Sequence, residues 1–139
     1  MNSRPLTLNL RRVIAGPPAE VYRAWLDPRK PVNPWSVGRT LGFPPKAGNL
    51  YCVLVEGTAY IFGRVLKLSK GKEFRFTWMS PYTHGAETRV TVRFQKRAGG
   101  TLLTLRHTGL PNDKDGRLHA QGWNQFLVKL ETHFGQKAR

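Results

Sequence analysis

The chain has 139 residues, the usual size of one domain, and can bury roughly two-thirds of its unfolded surface in a single core, so one domain over 1–139 is expected. A 40% hydrophobic and 11% aromatic content excludes wholesale disorder. Twenty-three Lys and Arg against eight Asp and Glu leave a formal charge of +15, which draws phosphates, acidic protein surfaces or anionic lipids and bears on partners rather than on fold.

In chain order, Leu6, Leu8 and Leu10 alternate with Thr7, Asn9 and Arg11, the period of a half-buried strand running from Leu6 to Ile14. Nothing from Met1 to Leu8 has the continuous apolar run of a signal peptide, and no stretch has the length to span a bilayer, so a soluble, cytoplasmic protein is expected. Ala15-Gly16-Pro17-Pro18 breaks the strand, and Pro18 can start a helix because its missing N–H would be unpaired there. A short helix follows through Leu26, with Val21, Ala24 and Trp25 on one face and Glu20 against the positive end of its dipole; Asp27-Pro28 ends it. From Arg29 to Asn49, four prolines and three glycines surround Trp35, Leu41 and Phe43, a composition read as an irregular loop or lid.

Five apolar stretches then alternate with turns: 50–56, 58–68, 73–79, 86–95 and 101–108. Short connections between successive strands make an antiparallel meander. In 89–95, Val90, Val92 and Phe94 oppose Arg89, Thr91, Arg93 and Gln95, so one face is buried and the other wet. Cys52, the single cysteine, lies in the run Tyr51-Cys52-Val53-Leu54-Val55, can form no intramolecular disulfide and is read as a buried small hydrophobe. After Thr108-Gly109-Leu110-Pro111, the residues Asn112, Asp113 and Asp115 supply a cap and first-turn negative charge. Trp123, Phe126, Leu127, Leu130 and Phe134 recur at helical spacing, marking a long amphipathic helix. Gly116 and Gly122 lower its intrinsic stability, so tertiary packing must hold it, and Gly122 is a candidate for close approach to the sheet.

This order of elements, with Ala15, Pro18-Ala19-Glu20-Val21-Tyr22, Ala24-Trp25, Asp27-Pro28, Trp35, Ala47-Gly48, Gly63-Arg64-Val65-Leu66, Phe76-Thr77-Trp78, Gly100-Thr101, His107-Thr108-Gly109-Leu110 and Gly122-Trp123, resembles the START-like, birch-pollen-allergen-like (SRPBCC) superfamily. Within it, the chain is similar to the group of homologues of the activator of the heat-shock protein 90 ATPase. The resemblance implies an α+β helix-grip fold, in which a curled antiparallel sheet of six or seven strands wraps a long C-terminal helix and leaves a cavity between them. It also implies a range of uses, from lipid or polyketide binding and cyclase chemistry to antibiotic sequestration and chaperone assistance. A Pro-rich lid and a more positive charge set this chain apart within the group.

Two sets of candidate residues follow. In the inward phase, Tyr51, Val53, Ile61, Phe76, Trp78, Val92, Leu105 and His107 face Trp123 and Leu127 of the helix, with Trp35 on the lid. They line a pocket for a small hydrophobic molecule, or they fill a core. His107 stands out because a His in an apolar phase costs free energy unless it is paired: it orients a ligand, or it is a neutral histidine satisfied by Thr or backbone. In the outward phase, Arg64, Arg75, Arg89, Arg93 and Arg106, with Arg11, make the outer face of the sheet cationic. That face meets an acidic protein such as a chaperone, meets a nucleic-acid backbone without sequence preference, or is simply solvated.

No catalytic pair is evident among the eight acids, which sit mainly at turns and helix starts. His84, His107, His119 and His133 lack metal-ligand spacing with each other or with Cys52, and Gly71-Lys72 is followed by Glu73 without the upstream Gly of a phosphate loop. No cofactor or metal is expected. The expected function is a non-enzymatic binding domain for a small hydrophobic or amphipathic molecule; a chaperone-type interaction module using the basic face is the alternative. Cyclase or hydrolase chemistry in the cavity comes third, with His107 as its one acid–base candidate.

Overall fold

The computed structural model describes residues 4–27, 39–42, 45–55 and 58–137. Strand β1 (Leu6–Ile14) leads through Gly16-Pro17 into helix α1 (Pro18–Leu26), with Pro18 in the first turn where an N–H is dispensable and Glu20 beside the positive helix end. Asp27 closes the helix by donating its N–H to the Arg23 carbonyl. Then come β2 (Arg39–Leu41), β3 (Leu50–Val55), β4 (Thr58–Ser69), β5 (Glu73–Trp78), a 3-10 turn (Pro81–Thr83), β6 (Thr88–Arg97), β7 (Gly100–Leu110) and helix α2 (Lys114–Lys137). The α2 start is capped as expected, because the Asp113 carboxylate accepts the Gly116 N–H at 3.0 Å.

The strands form one seven-stranded antiparallel sheet in the order β1-β7-β6-β5-β4-β3-β2, so the meander is closed on one side by the return of β1 beside β7. Register slips between Val53 and Leu54 and between Val65 and Lys67 bend the β3–β4–β5 region, which is how a sheet of this width curls. The expected alternation in β6 holds: Val90, Val92 and Phe94 are buried while Arg89, Arg93 and Gln95 are exposed.

Two expectations need correction here. Residues 29–49 were expected to be irregular throughout, yet Arg39–Leu41 pairs with β3 through Arg39–Leu54 and Leu41–Cys52. Three residues are too few to carry a periodic signal; the strand exists because β3 offers an open edge of unpaired N–H and C=O groups. Cys52, expected to be buried, is free and half-buried. Trp35 lies outside the described residues.

The helices cover the inner face. Leu127 and Leu130 of α2 and Trp25 of α1 have no exposed surface, and burial of each such apolar side chain contributes about 1.5–3 kcal/mol. Trp25 stacks on Trp123 at 5.8 Å and takes Phe126 edge-on at 4.9 Å, locking the two helices together. Arg12 of β1 reaches Glu131 at 3.1 Å and Asn124 at 2.8 Å, fastening the outer flank of α2. No helix among the described residues is long and apolar enough to cross a membrane.

Candidate functional site

The expected inward residues do point inward. Tyr51, Val53, Ile61, Phe76, Val92 and Leu105 are buried, as are His107, Trp123 and Leu127, and Trp78 is partly buried. Most of them meet other side chains rather than open space. Phe76 stacks on Phe74 at 4.4 Å and receives Tyr51 edge-on at 6.0 Å, while the Tyr51 hydroxyl donates to the Thr77 carbonyl at 2.5 Å. Burial pushes that phenol well above its ordinary pKa.

Ile61 and Trp78 reach a groove of about 230 Å³ between β4, the 3-10 turn and the first half of α2. Tyr60, Ser80 and Tyr82 complete its sheet side, and Leu118, His119 and Gly122 its helix side. Its walls are almost wholly apolar, with Leu118 and Tyr82 exposed at the rim. Gly122 is no point of close approach to the sheet, as had been expected: a Cβ built there meets nothing within 4 Å, so this glycine is part of the open floor. The Tyr60 and Tyr82 rings lie 5.9 Å apart, and their hydrogen bond, with burial adding to it, pushes the Tyr60 hydroxyl up to about 12.

His107 sits behind this groove, fully buried, with the Trp78 ring 6.2 Å away and the His119 ring edge-on at 5.3 Å. Trp123 Nε1–H donates to its Nδ1 at 3.1 Å. An indole nitrogen only donates, so the imidazole proton is on Nε2, which donates to Thr88 Oγ1 at 2.7 Å; that hydroxyl in turn donates to the Trp78 carbonyl at 2.5 Å. This relay ties α2 to β7, β6 and β5 and occupies both ring nitrogens. Burial, assisted by His119, lowers the His107 pKa to about 3, so the ring is neutral. His119 directs Nδ1–H at the Asp115 and Gly116 carbonyls, at 3.0 and 3.2 Å, and its neutral tautomer therefore keeps Nε2 as an acceptor. Burial lowers its pKa too, outweighing those carbonyls and the Asp115 charge.

On the opposite face, Arg75, Arg89, Arg93 and Arg106 gather with Arg11 around a concave groove of about 480 Å³. Arg64 is exposed on β4 opposite Leu50, outside that lining. Glu73 at the groove's edge takes Arg75 and Arg93 at 3.0 Å each and Lys67 at 3.4 Å. Burial alone would raise its carboxyl, but the Arg93 hydrogen bond and the Arg75 and Lys67 charges outweigh it and hold the pKa low.

Sequence reasoning missed the helix wall of the small groove. Leu118, His119 and Gly122 are spaced i, i+1, i+4, one stripe beside the core stripe of Trp123, and that spacing was the available signal. Tyr60 had none, because it neighbours a register slip that no local pattern reports. The structure also brings His84 Nε2 to 3.1 Å from Asp115 and 3.5 Å from Asp113, across 31 residues of sequence for the closer pair. This exposed polar contact fastens the 3-10 turn to the start of α2.

Solved structures share this architecture. A protein from Chromobacterium violaceum is 24% identical with a TM-score of 0.75, over 92% of this chain and 96% of that one. A heat-shock protein 90 activator from Plasmodium falciparum is 20% identical with a TM-score of 0.75, over 94% and 96%. The Aha1 dimer from Colwellia psychrerythraea is 18% identical with a TM-score of 0.74, over 93% and 96%. At these identities the likeness is one of fold. No curated protein matches the chain. The model of the activator of Hsp90 ATPase homolog 1-like proteins matches residues 15–135, nearly the whole helix-grip domain, and the chain belongs to that family.

Proposed function

We propose that the protein is a non-enzymatic cytoplasmic binding domain that takes the apolar part of a small amphipathic molecule into the groove between β4, the 3-10 turn and α2. One observation carries this reading: an open, apolar-walled groove whose helix side is left empty by Gly122. Its 230 Å³ is below the ~300–1,000 Å³ of sites that enclose a whole drug-sized ligand, so the ligand would leave its polar end outside, near the Tyr60 and Tyr82 hydroxyls. The absence of turnover is supported by His107, whose nitrogens are both engaged within the protein.

The test uses N-phenyl-1-naphthylamine, a neutral apolar dye indifferent to the basic face, with wild type and Gly122→Leu. Leucine is a good helix former and its side chain enters the empty groove. Saturable 1:1 dye binding in the wild type should weaken at least tenfold in a variant that melts no lower. Equal binding by both proteins, or none by the wild type, overturns the reading.

The family match favours a second reading, a docking module for a heat-shock protein 90 ATPase. ATP turnover by the chaperone that is unchanged on adding this protein removes it.

A further inference from the structure

From the arginine-lined groove on the outer face of the sheet we infer a second ligand site, independent of the apolar groove, for a compact, multiply phosphorylated small molecule. The strand register builds it. Across the sheet, Arg75 stands opposite Thr91, Thr91 opposite Arg106, and Arg106 opposite Asn9. The next rung runs Glu73, Arg93, Thr104, Arg11, and the one on the other side sets Arg89 between Thr77 and Thr108. Each arginine thus has a threonine as a lateral neighbour, and the arginines lie on diagonals, about 7–8 Å apart. Placed directly opposite one another, like charges would destabilise the sheet; on diagonals their long side chains can converge on one anion.

Five features select the occupant. The lining holds five guanidinium groups and no carboxylate, and of these five only Arg75 and Arg93 have an acidic partner among the described residues, Glu73. Moreover, the Arg75 Nε is buried without a hydrogen-bond partner, a donor left over after Nη2 has been given to Glu73. The hydroxyls of Thr91, Thr104 and Thr108 interleave neutral donors with the charged forks, the mixture that phosphate oxygens accept from. No aromatic side chain lines the groove, so it offers neither the stacking platform of a single-strand nucleic-acid site nor the aromatic anchors of a protein hot spot. The size agrees: four strands about 4.8 Å apart and three alternate rows about 6.8 Å apart make a cationic patch roughly 14 Å on each side. That spans one compact polyanion within a 480 Å³ concavity.

Inorganic tripolyphosphate, titrated calorimetrically into the full chain at near-physiological salt, tests the site. The expected result is saturable 1:1 binding that weakens at least tenfold in Arg89→Gln/Arg106→Gln. The control Arg117→Gln/Lys129→Gln, which removes two cations of α2, should stay within twofold of wild type. Equal loss in both double variants would mean bulk charge attraction, and no binding at that salt would mean no site; either result overturns the inference. So does tenfold tighter binding of a hexaglutamate peptide or a ten-nucleotide single strand, since the occupant would then be a macromolecule. Thermal melts of wild type and both double variants guard against misfolding: Arg89→Gln/Arg106→Gln should melt no lower than wild type, because it relieves repulsion on the sheet.

Discussion

Lowering the pH should loosen the seam between α2 and the sheet through His107. The folded protein holds this ring neutral, with a pKa of about 3 against an ordinary 6.5, because burial penalises the charge. A second proton would also have to sit on Nδ1, turning an acceptor into a donor that faces the Trp123 N–H. The unfolded chain carries no such penalty and binds the proton near pH 6.5, so stability is unaffected above that value and falls as the pH drops from 6.5 towards 3. At 1.36 kcal/mol per unit, the loss is on the order of 1 kcal/mol at pH 5.5, 3 at pH 4.5 and 5 once both states are protonated. Burial of His119 lowers its pKa and adds in the same direction. Urea unfolding followed by tryptophan fluorescence at pH 7, 5.5 and 4.5, on wild type and His107→Gln, measures the effect. The variant should be less stable at pH 7 by about 1–3 kcal/mol, for imperfectly replaced hydrogen bonds, but should lose roughly 3 kcal/mol less than wild type on going to pH 4.5. Parallel pH profiles for the two proteins would refute the argument, as would an NMR titration of the wild type placing His107 near 6.5.

Thr88→Val keeps the shape of the side chain but removes the hydroxyl that links His107 to the Trp78 carbonyl, and should cost about 1–3 kcal/mol in urea unfolding at neutral pH. Gly122→Ala should gain about 1 kcal/mol, since its Cβ enters open space and alanine loses less backbone entropy on entering a helix; a lower urea midpoint would show the groove floor to be closed. Gly63→Ala is the contrasting case, because its Cβ would collide with the Thr77 carbonyl and the Tyr51 ring, both fixed by their mutual hydrogen bond. That substitution should cost more than about 2 kcal/mol, read as a fall in melting temperature.

The regular elements were legible in the sequence wherever a local period survives in the fold. Val90, Val92 and Phe94 alternate with arginines because β6 is wet on one side, and Trp123, Leu127, Leu130 and Phe134 repeat at helical spacing because α2 buries one stripe. Pro18 and Asp113 marked helix starts through chemistry that acts within one turn. The inward and outward phases of the candidate residues followed from the same local rules. Beyond phase, the tertiary structure decided. Pairing with β3 made a strand of Arg39–Leu41, and Trp123 and Thr88, distant in sequence, settled the hydrogen bonds and tautomer of His107. Cross-strand register gathered Arg11, Arg75, Arg89, Arg93 and Arg106 around one concavity and left Arg64 outside it. Where α2 crosses the bent sheet made Gly122 the floor of a groove. A period in sequence reports which way a side chain points, whereas what it meets there depends on pairings between distant segments and on sheet curvature, which no local window contains.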